Sequence, residues 1–138
     1  MAEYSKNLPI LNPDIIEFWE GCKREALLIQ KCKDCGKYRH EPRIACPYCL
    51  SFNFDWTEVS GKGEVYSYVI YRRPPFPNWS DAIPYVVAII ELEDCGVRMI
   101  SNVIGCEPEE VEIGMKVEVT FEKATEEITL PKFRPAVL

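Results

Sequence analysis

The feature that most constrains this chain is a pair of Cys-x-x-Cys motifs in its first third. Cys32 and Cys35 form the first motif, and Cys46 and Cys49 form the second. Two intervening residues let one tight turn point both sulfurs at a common centre. Gly36 follows the first motif, where such a turn often needs a left-handed residue. Four thiolates would complete a tetrahedral structural zinc site with no open coordination position.

Other uses of the four cysteines are less favoured. A rubredoxin-type iron site uses the same four thiolates, so the spacing alone leaves iron open as the second choice. Two disulfides are disfavoured because the chain lacks the pattern of a short secreted scaffold. A single redox-active pair would leave the other motif unexplained. The motifs therefore predict a zinc ribbon whose metal has a structural role.

Length and composition bound the rest of the fold. A chain of 138 residues with 47% hydrophobic content fits one compact domain with a small metal-clipped appendage. The longest apolar run, residues 85–90, is too short to span a bilayer, and the N-terminus lacks a signal-peptide pattern. The cysteine usage suits a reducing compartment. We therefore expect a cytoplasmic protein with no membrane association.

Charge is distributed unevenly along the chain, whose net charge is −6. Residues 1–50 carry 8 Lys and Arg against 7 Asp and Glu, whereas residues 51–138 carry 8 against 15. An acidic second half disfavours nucleic acid as a partner, because phosphate contacts need cations. Five cations cluster in the ribbon, where we expect them to form a solvated rim around the thiolate site: Lys31, Lys33, Lys37, Arg39 and Arg43.

The pattern of apolar residues predicts a mainly β protein with one short helix. Asn12 and Pro13 are typical of a helix start. One apolar stripe follows, formed by Ile15, Phe18, Trp19 and Cys22. We divide the chain into an N-terminal helical arm (residues 1–24), a zinc ribbon (residues 25–59) and a barrel domain (residues 60–138).

The ribbon and the barrel domain both contain the sequence patterns of β-strands. In the ribbon they cover residues 25–31, 38–43 and 52–59. In the barrel domain they cover residues 64–71, 84–92, 97–104 and 115–121, followed by a terminal strand or tail within residues 125–135. Five strands in about 80 residues, without a strong helical pattern, favour a five-stranded OB-fold barrel. An SH3-like barrel is the second choice.

Catalytic residues are hard to find in this sequence. His40 is the single histidine, and because four thiolates already saturate zinc, we expect it to be a surface or capping residue. Cys22, Cys95 and Cys106 lie outside the motifs. A neighbouring acid such as Asp94 raises the pKa of a thiol and makes it less reactive. No nucleophile, base and orienting group stand out, so an enzyme in its own right is disfavoured.

Two segments have the character of binding sites. Arg72 and Arg73 open a proline-rich loop that carries Trp79. Arginines beside exposed aromatic rings suit a phosphate and a flat ring, although the loop could instead pack over the end of the barrel. Near the C-terminus, Lys132, Phe133 and Arg134 repeat the theme, with the alternative that Phe133 fills the barrel.

Together these segments resemble the domain-of-unknown-function-35 family, which joins a rubredoxin-like zinc ribbon to an OB-fold and accompanies thiolases and other acyl-CoA enzymes. The resemblance spans most of the chain. It is carried by the helix with Phe18-Trp19, Ile29-Gln-Lys-Cys-Lys-Asp-Cys-Gly36, Cys46-Pro-Tyr-Cys49, Trp56, Val59-Ser-Gly-Lys-Gly-Glu-Val-Tyr-Ser67, Pro84-Tyr-Val-Val-Ala88, Ile113-Gly-Met-Lys-Val117 and Phe133-Arg-Pro135.

The resemblance implies a non-catalytic accessory subunit. Its helix and ribbon would dock on a partner such as an acetoacetyl-CoA thiolase or a hydroxymethylglutaryl-CoA synthase, with Phe18 and Trp19 as docking candidates. The barrel would face an acyl-CoA. The chemistry of their side chains makes five residues the candidates for contact with the acyl-CoA or the partner: Arg72, Arg73, Trp79, Phe133 and Arg134. Removal of residues 1–22 is then expected to abolish docking and leave the barrel folded. The alternative is a single-stranded nucleic-acid-binding protein, since ribbons and OB-folds both recur in that class.

Overall fold

The structure is a computed structural model and describes residues 6–136. Within this range one helix, α1 (Ile16–Lys23), precedes eight strands, and two 3-10 turns cover Pro77–Trp79 and Pro108–Glu110. The strands are β1 (Leu27–Cys32), β2 (Tyr38–Arg39), β3 (Phe54–Val59), β4 (Lys62–Tyr71), β5 (Tyr85–Leu92), β6 (Arg98–Val103), β7 (Lys116–Lys123) and β8 (Thr129–Pro135). The predicted mainly β class with one short helix is confirmed.

The first three strands form the sheet of the ribbon, in the order β2-β1-β3. Both pairings are antiparallel, and β1 pairs with β3 from Leu27 opposite Val59 to Cys32 opposite Phe54. This register brings the first Cys-x-x-Cys motif to the end of the sheet. The ribbon therefore holds its metal-binding end away from the point where the chain enters the barrel.

The other five strands close into a barrel in the order β4-β5-β6-β8-β7, with β7 pairing back to β4. All neighbours are antiparallel except β6 and β8, which pair in parallel at Val103 and Phe133. A five-stranded barrel with this arrangement has the topology of an OB-fold. The predicted OB-fold is confirmed.

One hydrophobic core runs through the barrel and into the N-terminal elements. Strand β5 alternates strictly, with Val86, Ala88, Ile90 and Leu92 pointing inward, as expected for a strand with one buried face. Phe133 of β8 is fully buried among them. The same cluster includes side chains of α1 and β1, namely Phe18, Cys22, Leu27 and Ile29, so the helix and the ribbon share the core of the barrel.

Several predicted boundaries differ from the structure. Helix α1 begins at Ile16, while Asn12 caps a preceding turn by accepting the backbone N–H of Asp14 at 2.9 Å. Strand β2 ends at Arg39 and not at residue 43, because the N–H of Arg43 donates to the side chain of Gln30 and leaves the ladder. The terminal segment forms a full strand, β8, paired with β7 along its length.

The expectation for a deletion of residues 1–22 needs correction. Helix α1 packs on β1, β7 and β8, and Phe18 and Cys22 belong to the common core. Deleting these residues would expose apolar surface of the barrel, because the barrel would lose part of its cover. Of the predicted arm, residues 1–5 lie outside the described residues, as do residues 137–138 of the barrel segment. The three-segment division of the chain stays a prediction.

No helix in the described range, residues 6–136, is long and apolar enough to cross a membrane.

Candidate functional site

The four cysteines of the two motifs converge at the end of the ribbon. Their sulfurs all lie within 4.8 Å of one another. The Sγ atoms of Cys32 and Cys49 are 3.6 Å apart, and those of Cys35 and Cys46 are also 3.6 Å apart. Four sulfurs bound tetrahedrally at a Zn–S distance of about 2.3 Å would be about 3.8 Å apart. The observed spacing therefore fits a four-coordinate metal ion with no vacant position for a substrate.

The two turns that carry these sulfurs are built alike. The N–H of Gly36 donates to the carbonyl of Cys32 at 3.0 Å, and the N–H of Leu50 donates to that of Cys46 at 2.9 Å. Both residues have a positive φ in the left-handed region. Gly36 was predicted to adopt this conformation, and Leu50 adopts it although it carries a Cβ atom. Backbone N–H groups also point at the sulfurs, from Cys35 to Cys32 at 3.5 Å. Such N–H donors stabilise bound thiolates.

The three cysteines outside the motifs have raised pKa values. Burial raises the pKa of Cys22 to about 12. Burial also raises the pKa of Cys95 and of Cys106, with a further contribution from Asp94 at Cys95, as expected. Among residues 6–136, none of these three thiols is therefore activated as a nucleophile.

His40 is more enclosed than the sequence suggested. Its ring is half-buried and packs 5.3 Å from the ring of Phe18, and burial lowers its pKa. It is not a member of the metal-binding group found among the described residues. The histidine instead forms part of a pocket wall.

That pocket lies where α1, the segment after β2 (residues 40–42) and the barrel meet, and its volume is about 390 Å³. Phe18 and Trp19 line it from the helix, with their rings edge-to-face at 5.1 Å. Trp79 lines it from the proline-rich loop, and Met99 and Ile100 line it from β6. We call this cavity the apolar pocket, because aromatic and aliphatic side chains dominate its wall.

Trp79 is fixed at the rim of the apolar pocket by several contacts. Its indole Nε1 donates to Asn7 Oδ1 at 3.2 Å, and its ring lies 5.2 Å from that of Tyr85. Tyr85 in turn stacks on Tyr71 at 5.0 Å. Trp79 therefore packs against the start of β5 and lines the pocket, whereas Phe76 of the same loop is exposed.

The other predicted contact residues do not line the apolar pocket. Arg72 is exposed and pairs with Glu109 at 3.3 Å, while Arg134 is exposed and pairs with Glu118 at 3.1 Å. Arg73 is also exposed. Phe133 has no accessible surface, so it fills the barrel and has no face to offer a ligand in this structure.

The two predicted docking residues behave differently. Phe18 is buried in the common core, whereas Trp19 is only half-buried beside it. Phe18 therefore has little surface to offer a partner. Trp19 keeps a partly exposed ring next to the apolar pocket and remains the stronger docking candidate.

Sequence reasoning misses the contribution of β6 to the pocket and finds Lys132 of β8. Ile100, Asn102 and Lys132 all line it. Ile100 is a large apolar residue facing outward on β6 with 68% of its surface exposed. An apolar residue at a solvent-facing position of the alternating pattern was the available signal.

The ribbon and the barrel define a class: a rubredoxin-like ribbon with a four-cysteine metal site, joined to an OB-fold. Two family models match in the same order. A model described as the rubredoxin-like zinc ribbon domain of ChsH2 matches residues 19–55, and one described as the C-terminal OB-fold domain of ChsH2 matches residues 56–122.

Individual relatives identify the family. The chain is 37% identical over 115 residues to a "DUF35 domain-containing scaffold protein" of Methanocaldococcus jannaschii, covering 82% of this chain and 80% of the relative. It is 40% identical over 106 residues to a scaffold protein of the same description from Methanothermobacter thermautotrophicus, covering 76% and 78%. The chain belongs to the DUF35 family, as the resemblance of its motifs indicated.

Longer relatives carry enzyme names. A "probable enoyl-CoA hydratase alpha subunit" of Thermomonospora curvata is 43% identical over 129 residues, which is 94% of this chain and 40% of that protein. This chain thus spans well under half of that relative's length.

A solved structure described as "Ltp2-ChsH2(DUF35) aldolase" has a chain matched at a TM-score of 0.84 and 43% identity, covering 94% of this chain and 100% of that one.

Proposed function

We propose that this protein is a non-catalytic accessory subunit that binds an acyl-CoA and docks on a thiolase-class enzyme. The observation that carries the proposal is the similarity to a DUF35 chain described together with Ltp2 as an aldolase, which extends over nearly the whole of this chain. Shorter relatives named as scaffold proteins support a role without chemistry of its own. The absence of an activated thiol outside the motifs, within residues 6–136, agrees with that role.

The apolar pocket is the proposed site for the acyl or pantetheine part of the ligand. A pocket of about 390 Å³ lies in the size range of small-molecule sites. Its wall is mainly aromatic and aliphatic, and its polar lining residues are Asn7, His40, Glu41, Ser101, Asn102 and Lys132. Trp79 is the one predicted ligand contact that lines it. Arg72, Arg73 and Arg134 are proposed as contacts to the partner or to the outer parts of the ligand.

The ribbon supplies the proposed docking surface. Four large apolar side chains near the metal-binding end are 61–77% exposed: Ile44, Tyr48, Leu50 and Phe52. Neighbouring exposed apolar residues are typical of interaction sites. Trp19 adds a half-buried aromatic ring on the helix side. An acetoacetyl-CoA thiolase or a hydroxymethylglutaryl-CoA synthase is the specific partner that we propose.

The metal of the four-cysteine site is proposed to be zinc, held by Cys32, Cys35, Cys46 and Cys49. Zinc suits four thiolates at the observed spacing. Because all coordination positions would be filled, the ion would hold the ribbon's end in shape and would present the docking surface. A cytoplasmic location stays a prediction from the reduced cysteines.

The partner is tested by gentle purification of the tagged protein from its native cells, followed by mass spectrometry of the bound proteins. A thiolase-class enzyme is expected in stoichiometric amount. The Phe52→Ala variant should lose it, whereas Val69→Ala, an exposed residue of β4 outside the ribbon, should retain it. Recovery of the chain without such an enzyme would contradict the accessory role.

The ligand is tested by calorimetric titration of the full chain with S-acetyl-pantetheine, which lacks the nucleotide. Trp79→Ala is expected to weaken binding about tenfold, because a pocket aromatic is lost, and Val69→Ala should have no effect. Equal affinity of both variants and the wild type would remove the apolar pocket as the site. We place single-stranded nucleic-acid binding second, since the relatives described above are named as scaffolds, a hydratase subunit and an aldolase component.

A further inference from the structure

A second cavity lies between the ribbon and the turn that joins β5 to β6. Its volume is about 770 Å³. The ribbon contributes Lys37, Tyr38, Arg39, His40, Arg43, Pro47 and Tyr48, and the turn and β6 contribute Cys95, Gly96, Val97 and Arg98. We call this cavity the basic cleft, because four of its lining residues are Lys or Arg and none is Asp or Glu.

The exposed cations of the basic cleft stand beside aromatic rings. Lys37 Nζ lies 4.5 Å from the centre of the Tyr48 ring, and the guanidinium of Arg98 lies 3.8 Å from that of Tyr66. The carboxylate nearest to Arg98 belongs to Glu91 at 3.9 Å, which is a long ion pair. Such loosely paired cations are available to an incoming anion at small cost.

Arg39 gives the basic cleft a rigid wall, contrary to its predicted place in a solvated rim. It is only 4% exposed, and its Nε donates to Gln30 Oε1 at 2.7 Å. Its Nη2 donates to the carbonyl of Arg43 at 3.0 Å, while the N–H of Arg43 donates to the same Gln30 oxygen at 2.8 Å. This network fixes the backbone of Arg43 and therefore the position from which its side chain reaches the cleft.

The Arg39 guanidinium lies 4.9 Å from the centre of the Phe54 ring and has no carboxylate partner among residues 6–136. Its Nη1 and the Nε2 of Gln30 are buried without hydrogen-bond partners there. A buried cation with unsatisfied donors is costly unless an anion or an acceptor lies near. An anion in the adjoining cleft would reduce that cost. The buried, unsatisfied Nη1 of Arg39 is thus an observation, independent of the exposed cations, that points to a negatively charged ligand.

The basic cleft adjoins the apolar pocket, because His40 lines both cavities. One cavity is apolar and the other is cationic. We propose that the basic cleft binds the phosphate groups of a nucleotide-bearing ligand whose apolar arm lies in the apolar pocket. Lys37, Arg43 and Arg98 contact the phosphates. This inference deepens the proposed function and rests on it for the identity of the ligand.

The four-thiolate site opposes anion binding at this place to some degree. With a divalent ion bound it carries a net charge of −2, and Lys37 and Tyr48 lie close to it in sequence. Four cations line the cleft against that charge of −2. Because the site is exposed to solvent at Lys37, Arg43 and Arg98, screening by salt should weaken the attraction markedly.

The test is calorimetric titration of the metal-loaded full chain with ADP, at low and at high ionic strength. The wild type should bind ADP, and more weakly at high salt. Lys37→Glu in the ribbon and Arg98→Glu in the barrel should each weaken ADP binding at least about tenfold, because each removes a charge-assisted contact. Lys123→Glu makes the same change in net charge at an exposed position of β7 outside the cleft and should bind ADP like the wild type.

Failure to bind ADP, or an equal loss in the Lys123→Glu control, would overturn the proposal. Metal content and circular dichroism of each variant verify that it is folded, and the two test variants lie on different elements. The titration with S-acetyl-pantetheine separates the two claims. If the chain binds ADP but does not bind S-acetyl-pantetheine, the result supports the basic cleft and contradicts the apolar pocket. If it binds S-acetyl-pantetheine but does not bind ADP, only the basic cleft is contradicted.

Discussion

At the scale of single residues, the metal site depends on each of its four sulfurs. The two turns reach the same left-handed geometry at Gly36 and Leu50 and place sulfurs 3.6 Å apart in two pairs. Thiolates at such distances repel one another unless a cation lies between them. Metal binding and folding of the ribbon's end should therefore be coupled.

The substitution Cys32→Ser should release the metal and unfold at least the metal-binding end of the ribbon. Metal analysis of the purified variant measures the loss, and the same analysis of the wild type distinguishes zinc from iron. The control is Cys106→Ser, a half-buried thiol outside the site, which should keep its metal. Full metal content in Cys32→Ser would show that the ligands are misassigned.

Two glycines at the start of β4 are a second case in which a single residue controls how closely neighbouring strands pack. Gly61 has a φ of +78°, and a Cβ at this position would lie 2.2 Å from Val119 Cγ1. Gly63 has an ordinary φ, but a Cβ there would lie 2.5 Å from the carbonyl oxygen of Glu91. Both glycines allow β4 to approach its two neighbours closely.

Gly61→Ala should lower the free energy of unfolding by about 2–4 kcal/mol, because it adds both backbone strain and a steric overlap. Chemical denaturation measures the change. Gly96→Ala is the matched control, since Gly96 has a φ of +70° with no atom within 4 Å of an added Cβ, and it should cost only about 1 kcal/mol. Equal losses in the two variants would indicate that strain alone matters.

At the scale of elements, α1 has two faces with different tasks. Phe18 enters the core shared with β1 and the barrel, whereas Trp19 remains half-buried at the apolar pocket. The helix has eight residues, too few to be stable without burial of an apolar face. Packing holds α1 in place, and the exposed part of Trp19 is what it can offer to a partner.

The pair Phe18→Ala and Trp19→Ala should separate these tasks. Phe18→Ala is expected to reduce the free energy of unfolding by about 3–5 kcal/mol, as for a buried aromatic. Trp19→Ala should cost less stability and should reduce recovery of the proposed thiolase-class partner in the purification described above. A partner recovered undiminished with Trp19→Ala would argue against docking through α1.

At the scale of the whole molecule, ribbon and barrel share one hydrophobic core. Leu27 and Ile29 of the ribbon lie in the same cluster as Val65, Ile90 and Phe133 of the barrel. Within the barrel segment, Asp94 accepts the backbone N–H of Ser60 at 2.7 Å and its hydroxyl at 2.9 Å, which fixes the chain where it leaves the ribbon. The ribbon is consequently expected to lose its fold together with the barrel.

Thermal unfolding should therefore show a single transition. Tryptophan fluorescence, which reports on Trp19, Trp56 and Trp79 in three different segments, should coincide with far-ultraviolet circular dichroism. Removal of the metal by a chelator should shift this transition to a lower temperature, because metal bound only to the native state stabilises it. Two separate transitions, with the barrel unaffected by the chelator, would mean that the segments fold independently.

The sequence by itself determined the parts of this protein that depend on local spacing. Two cysteines in one turn must meet, so the four-sulfur site followed from Cys32, Cys35, Cys46 and Cys49. Alternating apolar residues must face one side of a strand, so the barrel strands followed within a few residues. The family resemblance likewise depended on ordered motifs.

Only the tertiary structure decided which side chains are free to bind. Phe133 and Phe18 were candidates for contact with a ligand or a partner. Both are buried in the core because β8 and α1 close over the barrel. Arg39 was expected in solvent. It is buried instead, and its guanidinium donates hydrogen bonds to Gln30 and to the carbonyl of Arg43. The apolar pocket and the basic cleft each combine residues distant in the chain. Such surfaces arise from packing between elements, which no local pattern encodes.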